Sequence, residues 1–314
     1  MNRKYYFEDD TEAVIKKFRT ALEAVNMNTN TIRQHANYAG IFLTWCKDEG
    51  LETEAVRYNE VIAFVRYLQK EGCNSRFINR VILAVRHYYN HLETEKNPAS
   101  GIYLRGNVHA LPSVFVAYND LLSLYASFET TDNRTKRNHV ILGLMIFQAL
   151  TPEEIERLEP GHINIREAKI RIPGGRHSNA RTLGLQAVQL LDLQAYLQLT
   201  RPQMLADITK YRSGRKPLKI DLNAIESRLF FSEVGSLYLK RSLYHLFFQV
   251  KKINPQVTSA KVIRQSVIAQ WLKEKGIRQV QYMAGHRFVS STQRYHDYDM
   301  EELAYALKSH HPLE

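Results

Sequence analysis

KVIRQSVIAQWLKEKGIRQVQYMAGHRFVSSTQRY, residues 261–295, is the most informative stretch of this chain. It starts with Lys261 and Arg264, continues through apolar positions at helical spacing, and ends with an Ala-Gly-His triplet followed by Tyr295. Each residue also has an ordinary interpretation: Arg264 as a surface charge, His286 as a structural histidine and Tyr295 as one of 18 tyrosines. Their combined spacing is much more specific than any one of them.

The composition predicts a folded protein and favours a polyanionic partner. The 314 residues carry 43 Lys and Arg against 32 Asp and Glu, a net charge of +11, and 44% are hydrophobic, enough for ordinary cores. Residues 1–110 hold 15 basic and 13 acidic residues, whereas residues 111–314 hold 28 and 19. Such an excess is typical of nucleic-acid binding, because neutralised phosphates release counterions; a solvated basic surface would have the same composition.

Several classes of protein do not fit the sequence. The start, MNRKYYFEDD, is charged, and the longest apolar run, Val140–Phe147, is far shorter than the roughly 20 residues of a membrane span. Cys46 and Cys73 stand in no disulfide framework or zinc motif. We therefore expect a soluble, cytoplasmic protein with no membrane partner, no cofactor and no metal.

Residues 1–107 are predicted to form a helical domain. Asn30 or Thr31 can cap a first helix, residues 59–69 form a second, and Asn74 or Ser75 can cap a third. The third helix has apolar residues at the i, i+3, i+4, i+7 spacing of a buried face, namely Ile78, Val81, Ile82, Val85, Tyr89 and Leu92. Asn97-Pro-Ala-Ser-Gly101 breaks the pattern and places a linker near residues 100–113.

The opposite side of the third helix carries Arg76, Arg80 and His87, one or two turns apart. A stripe of this kind can lie along a phosphate backbone, and it can equally be an ordinary solvated face. We take the three residues as candidate DNA contacts.

Residues 114–314 are predicted to form a second domain. Val140–Leu150 is helical, and Thr151-Pro-Glu-Glu reads as a helix start. Its glutamates would repel an anion if they faced a pocket, and as part of a capping box we expect them to turn away from it. Residues 168–173 and 180–185 alternate as two strands around a Gly174-Gly175 turn, and the basic segment 201–219 is expected to be a loop. The remainder is helical, so the predicted fold class is mainly α with a small antiparallel β-sheet.

The C-terminal stretch resembles the signature of the tyrosine recombinase (phage integrase) family, of the compact two-domain Xer-like type. That signature is H-x-x-R, an apolar helix ending at Gly, L-G-H, and T-x-x-Y with the tyrosine nine residues after the histidine. The matching residues are K-x-x-R at 261–264, Gly276, A-G-H at 284–286, and Thr292 to Tyr295. Residues 28–98 also resemble the family's helical core-binding domain.

The resemblance implies the function and the domain roles. Residues 1–107 would be the SAM-like DNA-binding domain and residues 114–314 the catalytic domain. Tyr295 would attack a phosphodiester to form a 3′-phosphotyrosyl link without a metal, while Arg264 and His286 stabilise the charge of the transition state. The partner would be double-stranded DNA, bound as a homo-tetramer with or without a related recombinase, and residues 299–308 would form a terminal helix that docks on a neighbouring protomer.

Three positions depart from the family pattern. The first arginine of the family is replaced by Thr151, a loss on the order of 100–1000-fold in rate by analogy with a deleted oxyanion-hole donor. Lys261 replaces a histidine, as in type IB topoisomerases. The hairpin lysine is replaced by Gly175, so we assign Arg176 and His177 beside it as catalytic candidates, Arg176 to hold DNA and His177 to supply the proton, since histidines in general titrate near neutrality; a basic surface turn would have the same residues.

On the returning strand, Arg181 is a further candidate for DNA contact.

Three functional hypotheses remain open at this point. The first is a site-specific recombinase or integrase that cuts and rejoins DNA; whether it integrates, excises, inverts or resolves is not written in the sequence. The second is a DNA-binding accessory protein with weak or no cleavage, which the loss of the arginine at Thr151 favours. The third is a topoisomerase-like enzyme that relaxes DNA without exchanging strands.

Overall fold

The computed structural model describes residues 9–92, 94, 96–105, 115–176, 178–212 and 221–295. Contacts divide the chain into two compact units, Met1–Val108 and His109–Glu314. Most described residues are helical and the strands form one small antiparallel sheet, which confirms the predicted fold class.

The first unit is a helical bundle because each of its helices is apolar along one face. The side chain of Asn28 caps the second helix by accepting from the Asn30 amide, so the cap lies two residues before the predicted Asn30. Asn74 caps the fourth helix by accepting from the Phe77 amide, as predicted. An aromatic cluster centred on Phe42 and Phe64 fills the core. The helices of this unit are α1 (Asp9–Ala24), α2 (Thr29–Asp48), α3 (Tyr58–Lys70) and α4 (Ser75–His91).

The segment after α4 is bound to the first unit instead of being a free linker. The Arg86 guanidinium donates to the carbonyls of Ala99 and Ile102, at 3.2 Å each. Asn79 exchanges two hydrogen bonds with the backbone of Leu104, at 2.8 and 2.9 Å. Because these side chains satisfy the backbone of residues 99–104, that part of the predicted linker at 100–113 belongs to the first unit.

The second unit is built around two buried helices. Both α6 and α12 bury residues around most of their circumference, as expected for central helices. The helices of this unit are α5 (Tyr118–Ala126), α6 (Asn133–Gln148), α7 (Pro152–Glu156), α8 (Ala187–Ala195), α9 (Arg201–Arg212), α10 (Leu222–Ser227), α11 (Lys240–Ile253), α12 (Ala260–Glu274) and α13 (Ile277–Ala284), with a 3₁₀ turn at Pro160–His162 and a π turn at Tyr196–Thr200.

The sheet has the order β1 (Ile163–Asn164), β2 (Lys169–Ile172) and β3 (Arg181–Gly184), and all pairs are antiparallel. Ile170 pairs with Leu183, and both face the core, while Lys169 and the other alternate residues of β2 are exposed. The predicted strands and turn at 168–185 are present in this register.

The expectation of a loop over the basic segment 201–219 is wrong for its first part. Residues 201–212 are helix α9, which continues from α8 through the π turn. Met204 and Ile208, four residues apart, are both buried, so a short apolar stripe holds this basic helix to the core. Residues 213–219 lie outside the described residues.

Within the described ranges, every helix falls short of the length and apolarity required to cross a lipid bilayer.

Candidate active site

The first wall of the site forms where α6 ends and α7 begins. α6 stops at Ala149, whose left-handed backbone (φ 52°) turns the chain out of the helix. Thr151 then caps α7: its hydroxyl accepts from the Glu154 amide at 3.2 Å, and the Glu154 carboxylate accepts from the Thr151 amide at 3.0 Å. The helix start predicted from Thr151-Pro-Glu-Glu is therefore present as a reciprocal capping box.

Glu154 does more than cap its helix. Its carboxylate accepts from both terminal nitrogens of Arg181 on β3, at 2.6 and 3.1 Å, and it lies 3.9 Å from Arg264. Its side chain is only 1% exposed. Burial raises the pKa of Glu154, but the hydrogen bonds and charge of Arg181 outweigh it, so the pKa is held below its usual value. The expectation that Glu154 turns away from the pocket is wrong.

The assignment of Arg181 as a surface DNA contact is also wrong. Its side chain is fully buried, because strand alternation points it inward toward Glu154. Its Nε donates to the carbonyl of Met283 at 2.8 Å. A Cβ at Gly285 would lie 2.9 Å from the Arg181 Cζ, so a glycine there makes room for the guanidinium. Arg181 thus links β3 to the end of α13.

Arg264 joins two helix ends. Its guanidinium donates to the carbonyl of Ala149 at the end of α6, and to the carbonyl of Ala284 at the end of α13, the latter at 2.6 Å. Helix C-termini present unsatisfied carbonyls and partial negative charge, so a cation is favourable there. Burial lowers the pKa of Arg264, yet guanidinium stays charged at neutral pH, and its remaining N–H groups can meet an anion.

His286 follows the left-handed Gly285 (φ 68°) that ends α13. Its Nδ1 forms a 2.8 Å hydrogen bond with the hydroxyl of Thr292, which is fully buried. Burial, and then the charges of Arg264 and Arg181, lower the pKa of His286 to about 4. The imidazole is therefore neutral at physiological pH and can exchange a proton with a neighbouring group.

Tyr295 reaches the same place by a short turn. The chain becomes helical at residues 290–295, and this returns Tyr295 to His286, with parallel rings whose centroids are 6.3 Å apart. Gln265 on α12 lies near the Tyr295 hydroxyl and acts to lower the pKa of the phenol. Burial raises the pKa of Tyr295, while the charge of Arg264 opposes the rise, so the phenol is protonated at neutral pH.

Lys261 lies one helical turn before Arg264 on α12 and is exposed. The two side chains line a cleft of about 550 Å³, together with Thr151. Exposed Glu153 at the start of α7 also lines this cleft, and its other walls are mostly apolar and come from α11 and the start of α12, including Leu243, Tyr244, Phe247 and Ala260.

The hairpin turn between β2 and β3 contacts the loop at residues 285–289, which contains His286. Gly175 and Ser178 pair across the turn, the Asn179 amide donates to the Gly285 carbonyl at 2.9 Å, and Arg176 is exposed at the tip. His177 lies outside the described residues, as do residues 299–308.

The candidate DNA stripe on α4 is not uniform. Arg76 and Arg80 are exposed. His87 is half-buried, and its ring meets that of buried His35 edge-on at 5.0 Å between centroids. Burial, and then the charge of Arg86, lower the pKa of His87. Of the three residues, His87 is therefore the least suited to contact a DNA phosphate.

The structure thus brings Arg264, His286 and Tyr295 together, with Lys261 and Thr151 in the adjoining cleft. Sequence reasoning missed the inward role of Glu154 and the proximity of Gln265 to Tyr295. A signal existed for Gln265, since it follows Arg264 directly on a helix that is buried nearly all round. For Glu154 the capping pattern concealed a second role for the same carboxylate.

Comparisons with known proteins agree with this arrangement. Residues 15–96 match the phage integrase N-terminal SAM-like domain. Over 291 residues the chain is 23% identical to tyrosine recombinase XerA of Thermococcus kodakarensis, with 92% of each protein covered. It is 25% identical over 276 residues to tyrosine recombinase XerC of Pseudomonas putida, with 86% of each covered.

Over most of its length the chain is similar to tyrosine recombinases of the Xer type.

A solved structure shows the same fold. The site-specific recombinase XerH, bound to its difH substrate, superposes with a TM-score of 0.65 and 16% identity, covering 94% of this chain and 83% of XerH. The two-domain recombinase architecture is therefore that of the present chain.

A first prediction concerns the buried ion pair between Glu154 and Arg181. Glu154→Gln should lower the free energy of unfolding by about 3–5 kcal/mol, because it leaves Arg181 buried without its counter-charge. Glu153→Gln is the matched control: the neighbouring glutamate is exposed, and the change should stay within about 0.5 kcal/mol. Urea unfolding of both variants measures the difference, and a loss below about 1 kcal/mol for Glu154→Gln would contradict the assigned pairing.

A second prediction concerns acid stability. Because the folded pKa of His286 lies near 4 and the unfolded value near 6.5, the unfolded chain binds a proton first as the pH falls. Stability present above pH 6.5 should therefore be lost between pH 6.5 and about 4, by up to about 1.4 kcal/mol per pH unit. The comparison is with His286→Asn, which keeps every other titrating group.

Urea unfolding at several pH values gives this difference directly. The wild type should lose more stability on acidification than His286→Asn. Parallel curves for the two proteins would mean that His286 titrates normally in the folded state.

Proposed function

We propose that this protein is an active site-specific recombinase that cuts and rejoins duplex DNA through a 3′-phosphotyrosyl intermediate on Tyr295. The observation that carries the proposal is that Tyr295 lies close to His286 and Arg264. Tyr295 comes from the helical turn at residues 290–295, His286 follows α13, and Arg264 lies on α12. A nucleophile, a group that exchanges protons and a guanidinium are thus assembled around one point.

The proposed step conserves atoms and charge. The phenolic oxygen of Tyr295 attacks phosphorus and the bond from phosphorus to the 5′ oxygen breaks, while the phenol loses its proton and the leaving oxygen gains one. Neutral His286 can accept or donate a proton, and His177 is proposed to serve the leaving oxygen. Attack by a different 5′-hydroxyl on the phosphotyrosine reverses the step and rejoins the strands.

The electrostatics of the pocket support binding of a phosphodiester. The Arg264 guanidinium offers planar donors that suit phosphate oxygens, and Lys261 adds a second cation at the mouth of the cleft. The chemistry proposed here uses side chains alone and requires no metal ion. Arg176 at the hairpin tip would add a further cation on the DNA side.

The other parts of the chain have proposed roles in holding DNA. Residues 1–107 would form the DNA-binding core domain, with exposed Arg76 and Arg80 against the backbone, and residues 114–314 would form the catalytic domain. DNA is bound in the solved structure of the Tn1549 transposon integrase, which is in complex with transposon right end DNA. A homo-tetramer on two duplexes, with or without a related recombinase, is the proposed assembly.

One observation favours a second candidate, a DNA-binding accessory protein with weak or no cleavage. Thr151 stands where the family has its first arginine, and its hydroxyl caps α7. One charged donor to the phosphate is therefore missing, a loss on the order of 100–1000-fold in rate. The retained trio of Arg264, His286 and Tyr295 favours the active enzyme.

The direct test is covalent trapping on a nicked suicide duplex. The duplex carries the site that this protein first selects from a random-sequence pool, and the reaction contains EDTA. The wild type should form a protein–DNA adduct on a denaturing gel, and Tyr295→Phe should not, because it lacks the attacking oxygen. Tyr298→Phe is the control and should form the adduct normally.

Other outcomes separate the alternatives. Binding without an adduct in the wild type would favour the accessory protein. An adduct that survives in Tyr295→Phe and disappears in Tyr298→Phe would move the nucleophile to Tyr298. An adduct formed without strand exchange between two sites would indicate the topoisomerase-like reaction.

A further inference from the structure

Two arginines that take no part in the trio meet at Gly175 in the hairpin turn. Arg157, at the end of α7, lies on one side of this glycine, and Arg287, directly after His286, binds its carbonyl. Neither belongs to the residues that sequence patterns single out.

Arg157 is held with its guanidinium over the glycine. Its Nε donates to the carbonyl of Glu153 at 3.1 Å, which fixes the plane of the group. A Cβ added to Gly175 would lie 2.5 Å from the Arg157 Cζ and would overlap its terminal nitrogens. Gly175 is therefore the residue type that lets this guanidinium occupy the turn, and any side chain at position 175 would displace it.

Arg287 approaches the same residue from the His286 loop. Its Nη2 donates to the Gly175 carbonyl at 2.9 Å, and the side chain is exposed. The Asn179 side chain also donates to the carbonyl of His286 at 3.5 Å, so the hairpin and the His286 loop form one rigid edge of the pocket.

Among the described residues, the two guanidinium groups lack an acidic partner. Within the part of the chain that the structure describes, no carboxylate oxygen lies within 4.0 Å of Arg157 or Arg287. Like charges gathered at one backbone residue repel each other, and a bound anion removes that repulsion. Guanidinium groups bind phosphate oxygens in a planar, two-point geometry, which makes a phosphate the best-matched anion.

The position of the pair defines which phosphate it would meet. Arg287 is the next residue after His286, so the pair lies beside the point where Tyr295 would attack. A DNA strand bound at that point carries further phosphates on both sides of the scissile one. Among the described residues, no acceptor bonds the terminal nitrogens of Arg157 or the Arg287 nitrogens other than Nη2, so these donors are available to a phosphate.

We propose that Arg157 and Arg287, gathered around Gly175, form a second phosphate site that binds the DNA backbone next to the scissile phosphate. This inference rests on the proposed function for the location of the DNA. The pair sets the register of the strand and is not part of the chemical step.

The test measures the salt dependence of binding to the selected duplex, in the Tyr295→Phe background so that no cleavage occurs. Arg157→Gln should weaken binding and reduce the slope of log affinity against log salt by about 0.9, the value for one lost phosphate contact. Arg166→Gln, an exposed arginine in the turn between β1 and β2, is the control and should leave the slope unchanged.

Gly175→Ala supplies a second, independent perturbation. The three atoms nearest to the added methyl group all belong to the flexible end of Arg157, so the fold should persist while the guanidinium is displaced. Gly175→Ala should therefore give the same salt slope as Arg157→Gln, and the double variant should lose no more DNA affinity than either single variant. Single neutral methylphosphonates along the strand should abolish the effect of Arg157→Gln at one phosphate adjacent to the scissile position.

An unchanged slope in Arg157→Gln, or additive losses in the double variant, would overturn the inference. These readouts need only binding. If the wild type forms no covalent adduct but Arg157→Gln lowers the slope as stated, the proposed cleavage fails and the phosphate site stands.

Discussion

A single buried carboxylate holds the cations of this site in place. Glu154 is enclosed between Arg181, at 2.6 Å, and Arg264, at 3.9 Å, and is 1% exposed. Removing a charge from water costs several kcal/mol even after relaxation, so two guanidinium groups in a protein interior require a counter-charge. Because Glu154 also caps α7, that counter-charge is fixed by the backbone of the helix start.

The remaining geometry follows from this arrangement. Arg181 ties β3 to the end of α13, and Arg264 ties the ends of α6 and α13 together through their carbonyls. Gly285 then turns the chain so that His286 and Tyr295 face Arg264. With the imidazole and the phenol both neutral, the positive charges of Arg264, Arg181 and Lys261 are opposed by buried Glu154 and by exposed Glu153 at the cleft. Thr151 leaves a position without a cation, and the cleft beside Lys261 opens there.

Local sequence patterns predicted the elements that local physics determines. The apolar spacing of α4, the cap at Asn74, the Thr151 start of α7 and the Gly174-Gly175 hairpin all depend on residues within a few positions of one another. Motif spacing likewise placed His286 nine residues before Tyr295, where the structure brings their rings together.

Contacts between distant residues were beyond such patterns. Arginine is a residue type that commonly contacts DNA, but Arg181 is buried because it pairs with Glu154, 27 residues earlier in the chain. The same holds for Arg157, whose position over Gly175 follows from how α7 packs beside the hairpin. The segment that contains α9 is rich in lysine and arginine and includes Ser213-Gly214, which is typical of a loop, and its short apolar stripe of Met204 and Ile208 gives little sign of the helix.

The central claim is that Tyr295 carries the DNA strand. The most direct measurement is mass spectrometry of the covalent complex after nuclease and trypsin digestion, because cleavage after Arg294 and Lys308 gives one peptide that contains Tyr295, Tyr298 and Tyr305. The account predicts a nucleotide-phosphate mass on Tyr295 alone. The same mass on either of the other two tyrosines, or unmodified peptide from protein that binds the DNA fully, would contradict it.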